Sequence, residues 1–444
     1  MSTEGLDAQL ARWQGYLRQQ GAPVETLDER LHTDMTELTA AGLRPEESFL
    51  VALKRRAAED GPAREFARAH GSRLWRELVL GERADKAGNR DALRTMLACA
   101  LLAIVALKAP TLFGVDFDDD EFYPRNLALL ALAPLALYFG VRRRLRPAVA
   151  AVVAGLFALG AVAANAYGLD FDSQSIVLTA IHLPLALWLV IGVAYAGGDW
   201  RSPPRRMDFI RFTGEWVVYF VLICLGGGVL TGITVGTFGA IGIDAETFVG
   251  EWLVPCGGVA AIVVAAWLVE TRQGVIETIA PMLTRIFTPL FTAVLLALLI
   301  GFGLSSTGLE PDREVLILFD VLLVVVLGLL LYALTAVDRP AEPKLFDKLQ
   351  LALVVSALLV DLLVLIVITS RITEYGGSPN KIAALGENLI LLANLAWSAW
   401  LLFGFLRGRA PVERLERWQT GYLVVYAAWA WIVVLVFPPL FGFR

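Results

Sequence analysis

From residue 92 onward, apolar blocks about 20 residues long alternate with short polar segments, and that is the length an α-helix needs to cross the hydrocarbon core of a bilayer. The blocks fall near 92–112, 125–141, 148–167, 175–197, 210–238, 249–269, 287–306, 314–336, 348–370, 386–406 and 417–438. They predict an all-α, polytopic membrane protein of about eleven spans. The block 210–238 is long and glycine-rich, so it is expected to be tilted, broken or partly interfacial.

Residues 1–90 follow another pattern. Leu6, Leu10, Trp13 and Leu17 recur at helical spacing. Thr26-Leu-Asp-Glu29 reads as a capping box for a second helix that continues through Leu31 and Met35 to Leu38. Pro45 opens a third helix with Phe49, Leu50 and Leu53 inward, and Pro62 a fourth with Phe66, Trp75 and Leu78. These stripes predict a soluble helical bundle over 1–90, ahead of a transmembrane domain over 91–444. The start is polar and acidic, without the apolar core of a secretory leader.

The positions of the charges set an expected orientation. Arg142 to Arg146, Arg201 to Arg211, Arg272 with Arg285, Arg339 with Lys344 and Lys348, and Arg407 to Arg417 all fall on one side of the predicted spans. The opposite loops are acidic: Asp116 to Glu121, Asp170 with Asp172, Asp244 to Glu251, and Glu310 to Glu314. By the positive-inside rule the 1–90 head lies in the cytoplasm and the C-terminus outside, which implies an inner membrane. Hydrophobic residues make up 57% of the chain and charged ones 18%, and the net charge is −5, a balance that fits a membrane protein and gives no support to nucleic-acid binding.

A few polar side chains interrupt the spans. Asp320 and Asp361 each sit inside an apolar block, where a charged Asp costs roughly 2.5–3.5 kcal/mol on insertion scales, so both are expected to face the bundle interior. At about 1.5 Å per residue, Asp320 lies about 10 Å below the outer face, Asp361 about 13 Å, His182 about 10 Å and Asn394 about 12 Å. Carboxylates beside an imidazole in one layer suit proton relay or cation binding. The competing reading is that each simply hydrogen-bonds between helices. Pro184 removes a backbone bond two residues after His182 and is expected to kink that span. Glu215 and Arg211, one turn apart, are expected to neutralise each other, and Lys108 to anchor its span by reaching the 116–121 loop. Gly228, Gly232 and Gly236 form a small-residue stripe whose default use is close helix packing. Cys99, Cys224 and Cys256 read as small core hydrophobes, and the C-terminal tryptophans as belts and packing.

The segment 371–388 is the richest in pattern. Gly376, Gly377 and Pro379 force a turn, while Arg371, Glu374, Tyr375, Asn380, Lys381, Glu387 and Asn388 supply charge and hydrogen bonds near the outer face. An outer hairpin cap with internal salt bridges explains them without a ligand. Two resemblances follow from motifs. Leu27-Asp-Glu-Arg-Leu31, the Leu38-to-Phe49 stretch and Ala63-Arg-Glu-Phe-Ala-Arg-Ala-His70 resemble the permease prefix domain, which implies a cytoplasmic docking or regulatory module and no catalytic residue. The segment Arg371-Ile-Thr-Glu-Tyr-Gly with the later Glu387-Asn388, together with Ala280-Pro-Met-Leu-Thr-Arg285, is similar to the polytopic family called domain of unknown function 4153. Lys381 stands where that family has Arg, and the likeness implies a membrane fold without an assigned chemistry.

No phosphate-binding Gly-x-x-x-x-Gly-Lys-Ser/Thr, His-Glu-x-x-His or Gly-x-Ser-x-Gly pattern occurs, so no enzyme activity, cofactor or metal is expected. The expected partners are the lipid bilayer and a cytoplasmic protein for 1–90. Two functions remain: ion- or proton-coupled, permease-like movement of a solute or lipid through the Asp320, Asp361, His182 and Asn394 layer, or a non-transporting sensor that signals through the head.

Overall fold

A computed structural model describes residues 10, 13–18, 24–67, 82–115, 122–167, 173–240, 243–271, 279–304, 313–335 and 345–442. Among the described residues the regular structure is helical, and the chain divides into two compact units, Met1–Arg94 and Thr95–Arg444.

In the first unit, α1 (Val24–Ala40) packs on α2 (Pro45–Glu59). Their apolar stripes close over Trp13 and Leu17 and meet Phe66, whose ring stands edge-on to Trp13 at 5.1 Å. The stripe spacing had announced this core, but not its caps. Helix α1 already begins at Val24, so Thr26 lies within the first turn and is not a cap. At α2 one half of such a box is present, where a carboxyl oxygen of Glu47 accepts the Arg44 N–H at 3.0 Å. The Arg44 guanidinium and that N–H together hold the Glu47 carboxyl below its ordinary range. Trp75, Leu78 and His70 of the expected fourth helix lie outside the described residues.

In the second unit the helices are α3 (Glu82–Lys108), α4 (Phe122–Arg142), α5 (Pro147–Ala166), α6 (Gln174–Tyr195), α7 (Pro203–Ala240), α8 (Val254–Thr271), α9 (Ile279–Leu304), α10 (Arg313–Leu334), α11 (Leu345–Tyr375), α12 (Pro379–Leu406) and α13 (Glu413–Leu435). Among the described residues, eleven helices are long and apolar enough to cross a membrane. Two apolar cores organise them. One joins α3 to α6 and α8 with the first turns of α7. The other joins α9 to α12. Helix α13 packs on both α6 and α12 and so links the two.

Helix ends alternate. Arg142 and Arg143 at the end of α4 meet Glu270 at the end of α8. At the same end Arg206 of α7 donates to the carbonyl of Thr420 in α13, and Arg211 to that of Thr335 just after α10. At the other end the Asn380 N–H of α12 donates to Gln174 of α6, and Tyr167, after α5, to Leu435 of α13. Basic segments therefore gather at one end of the bundle. The acidic loops 116–121, 168–172 and 305–312 lie outside the described residues.

Helix α7 is not broken: it is continuous over 38 residues, about 57 Å at 1.5 Å per residue. Its first turns pack closely, with Tyr332 lying against Gly214 where a Cβ would clash. Beyond them no described residue would come within 4 Å of a Cβ at Gly228, Gly232 or Gly236, so the small-residue stripe packs no described helix of this chain. Cys224 is exposed on the same stretch, whereas Cys99 is buried as expected.

Candidate functional site

Helices α11 and α12 form a hairpin whose turn is three residues long, 376–378. Gly376 takes the left-handed conformation at φ 76°, which only glycine adopts without strain. Lys381 then folds back over the last turn of α11. Its amine donates to the carbonyls of Gly376 at 3.0 Å and Arg371 at 3.4 Å, and lies over the Tyr375 ring. A cation on the free carbonyls of a helix C-terminus is favourable. Lys381 thus caps the hairpin through backbone oxygens rather than through the salt bridge expected of it, and Glu374 is exposed.

Both helices run past the apolar blocks that mark them in sequence, and this changes the depth of their polar groups. Measured at about 1.5 Å per residue from that end of the bundle, Asp320 lies about 10 Å along α10 and Asn388 about 14 Å along α12. Asp361 lies about 21 Å back along α11 and Asn394 about 22 Å along α12. Counted along their own helices, the groups fall into two tiers, Asp320 with Asn388 and Asp361 with Asn394.

In the shallower tier the Asn388 amide donates to an Asp320 carboxyl oxygen at 3.0 Å and to its own helix at Ala384. Asn388 is 0% exposed, and its amide oxygen has no partner. Glu387, partly buried, lies within reach of the Asp320 charge. The preceding Gly386 leaves room for Trp429 of α13, which packs where a Cβ would stand. Glu387 and Asn388 therefore belong to the buried site and not to the outer segment in which their sequence placed them.

In the deeper tier Asn394 is saturated. Its amide donates to Gln419 at 3.1 Å and to the Tyr426 hydroxyl at 2.5 Å, and its oxygen accepts from Trp418 at 2.8 Å and Gln419 at 3.0 Å. Ser398 one turn on completes the network. A knot of this kind joins α12 to α13. Asp361 is the opposite case. It is 0% exposed and neither carboxyl oxygen has a hydrogen-bond partner. The nearby acid is Asp320, whose charge it feels, and Tyr426 is close enough to feel Asp361 in turn.

His182 stands apart from these tiers. It is buried in α6 and its Nδ1 is 2.9 Å from the carbonyl of Leu178 in its own helix, as a structural histidine would be. Pro184 stays within the unbroken run of α6. Lys108 is buried with its amine 4.5 Å from the centre of the Trp252 ring, and the 116–121 loop it is expected to reach lies outside the described residues. Glu215 is buried, and both it and Arg211 lie close enough to act on Tyr332.

One more acid, largely buried and closely paired, is not among the residues the sequence points to. Glu270 accepts from the Tyr138 hydroxyl at 2.6 Å and pairs with Arg143 at 2.9 Å and Arg142 at 3.7 Å. Its place at the very end of an apolar block was the only signal. Among the described residues no three His, Cys, Asp or Glu side chains converge to hold a metal ion.

The chain matches no model of a known family, no curated protein and no solved structure.

Proposed function

We propose that the chain is a multi-pass membrane protein that couples movement of a solute or lipid to protonation of Asp361. One observation carries this reading: a fully buried carboxyl group without a hydrogen bond, set against a second acid. A charge there has nothing to neutralise it, and such a group at bilayer depth takes up a proton or a cation. The lack of a third converging ligand favours the proton. Asp320, held by Asn388, is then the second acceptor, with Glu387 between it and the outer end. The gathering of arginines at the other end supports a cytoplasmic location for that end and for the 1–94 unit, in the inner membrane with the C-terminus outside. The likenesses to the permease prefix domain and to domain of unknown function 4153 stand as proposals that agree with it.

The compact first unit, with a core of its own, favours one other reading: a sensor that signals through a cytoplasmic head and moves nothing. Proteoliposomes loaded with a pH-sensitive dye and offered a panel of solutes separate the two. Transport gives solute-stimulated proton entry that Asp361→Asn abolishes and deletion of the head spares. Signalling gives no proton entry with any solute, and head deletion is then the disabling change in cells.

A further inference from the structure

The buried face of α9 carries three threonines one turn apart, Thr284, Thr288 and Thr292, exposed by only 3%, 1% and 6%. Helix α9 packs on α11 and, less extensively, on α10. On α11, Asp347, Gln350 and Ser356 are also buried, and they lie between the start of that helix and Asp361. Both helices begin at the end of the bundle where the arginines gather, since α10 returns between them and finishes beside Arg211.

Thr288 breaks a local rule. Buried hydroxyls in apolar helices return to the carbonyl four residues earlier, as Thr292 does to Thr288 at 2.7 Å and Ser356 to Ala352 at 2.8 Å. The Thr288 hydroxyl makes no such bond and has no other partner. Next to it Pro289 lacks an N–H, which leaves the carbonyl of Arg285 without its helical donor. An orphan buried hydroxyl such as that of Thr288 is the kind of group that ordered water satisfies. The unpartnered Asp361 carboxyl lies on α11, further from the start of that helix than Gln350 and Ser356.

We infer that this row binds water and is the route by which protons reach Asp361 from the arginine-rich end of the bundle. The inference rests on the reading of Asp361 as the protonated group. A proton passes from a bound water to an Asp361 oxygen, turning carboxylate to carboxyl, and nothing is oxidised. On the other side of Asp361 the buried face of α11 is Val364, Leu365 and Ile368, which offers no donor or acceptor. Exchange with that side goes through Asp320 and Asn388 instead.

The test is thiol accessibility in the full chain, in lipid vesicles, with Cys99, Cys224 and Cys256 replaced by alanine. Single cysteines at Thr284, Thr288 and Thr292 are treated with a charged, membrane-impermeant methanethiosulfonate from either side, and the adduct is read by mass. Arg201→Cys marks the arginine side, and Leu290→Cys, which is exposed on the outside of α9, marks lipid. Labelling of Thr284→Cys and Thr288→Cys from the Arg201 side, with Leu290→Cys unreactive, supports the route. Thr288→Cys reacting no faster than Leu290→Cys, or only from the opposite side, overturns it. As a second measurement, Thr288→Val slows hydrogen–deuterium exchange of the Asp361 carboxyl, followed in the infrared, by about tenfold, the worth of one hydrogen bond; an unchanged rate also overturns the route. If labelling succeeds while Asp361→Asn transports normally, the coupling reading fails and the water route stands.

Discussion

Glu270, largely buried, and Asp361, fully buried, are both acids in long apolar helices, yet the fold treats them differently. Glu270 stands at the end of α8 with a tyrosine hydroxyl and two arginines on it. Asp361 stands in the middle of α11 with no hydrogen bond at all. A fully paired acid gives up neither its charge nor its partners cheaply, so it fixes helix ends in place. An unpaired one contributes little to holding the bundle and is free to exchange what it binds. The same contrast recurs one step away, between the saturated Asn394 knot and Asn388, whose oxygen is left open.

Substitution at each acid should separate the two roles. Asp361→Asn is expected to remove solute-stimulated proton entry entirely and leave thermal unfolding in detergent unchanged or slightly raised, because a neutral amide costs less at that depth. Loss of folded protein in this variant would erase the contrast. Glu270→Ala is expected to do the reverse, lowering unfolding stability by about 2 kcal/mol, the value of charge-assisted hydrogen bonds discounted for partly exposed arginines. Activity per folded molecule should survive.

Asn394→Ala sharpens the comparison within one helix. It leaves Gln419, Trp418 and Tyr426 without their shared partner, at a cost of about 1–3 kcal/mol. Chemical denaturation of the purified protein measures it, and a change below the error of that measurement would show the knot to be dispensable. The smallest effect is expected at Glu47→Gln in the first unit, where the acid is fully exposed. Its carboxyl is held below the ordinary value of 4.5 by Arg44. The contribution is thus complete above that pH and fades as pH falls through the lowered value. Amide exchange in the first turn of α2 should quicken in the variant at neutral pH and match wild type in acid.

Much of this architecture could be read from residue pattern. Block length gave the eleven long helices, and the stripes of Trp13, Leu31, Phe49 and Phe66 gave the first core, because burial of an apolar face is a local, periodic property of the chain. Depth was read less well. The polar residues 371–375 and 379–385 look like loop, yet they continue α11 and α12, since a helix that emerges from an apolar core needs no apolar residue to continue. The added turns put Asp361 and Asn394 further from the hairpin turn than the apolar blocks imply. The glycine stripe of α7 likewise promised a packing partner among the helices of this chain that the described residues do not supply.

Sequence alone determined that Asp320, Asp361 and Asn394 would be costly to leave facing lipid, and hence that they would turn inward, because the penalty depends on the side chain and its depth. Only the tertiary structure decided which of them would be satisfied. Hydrogen bonds require partners within about 3 Å, and nothing in the order of residues states that Gln419 and Tyr426 reach Asn394 while no side chain reaches Asp361.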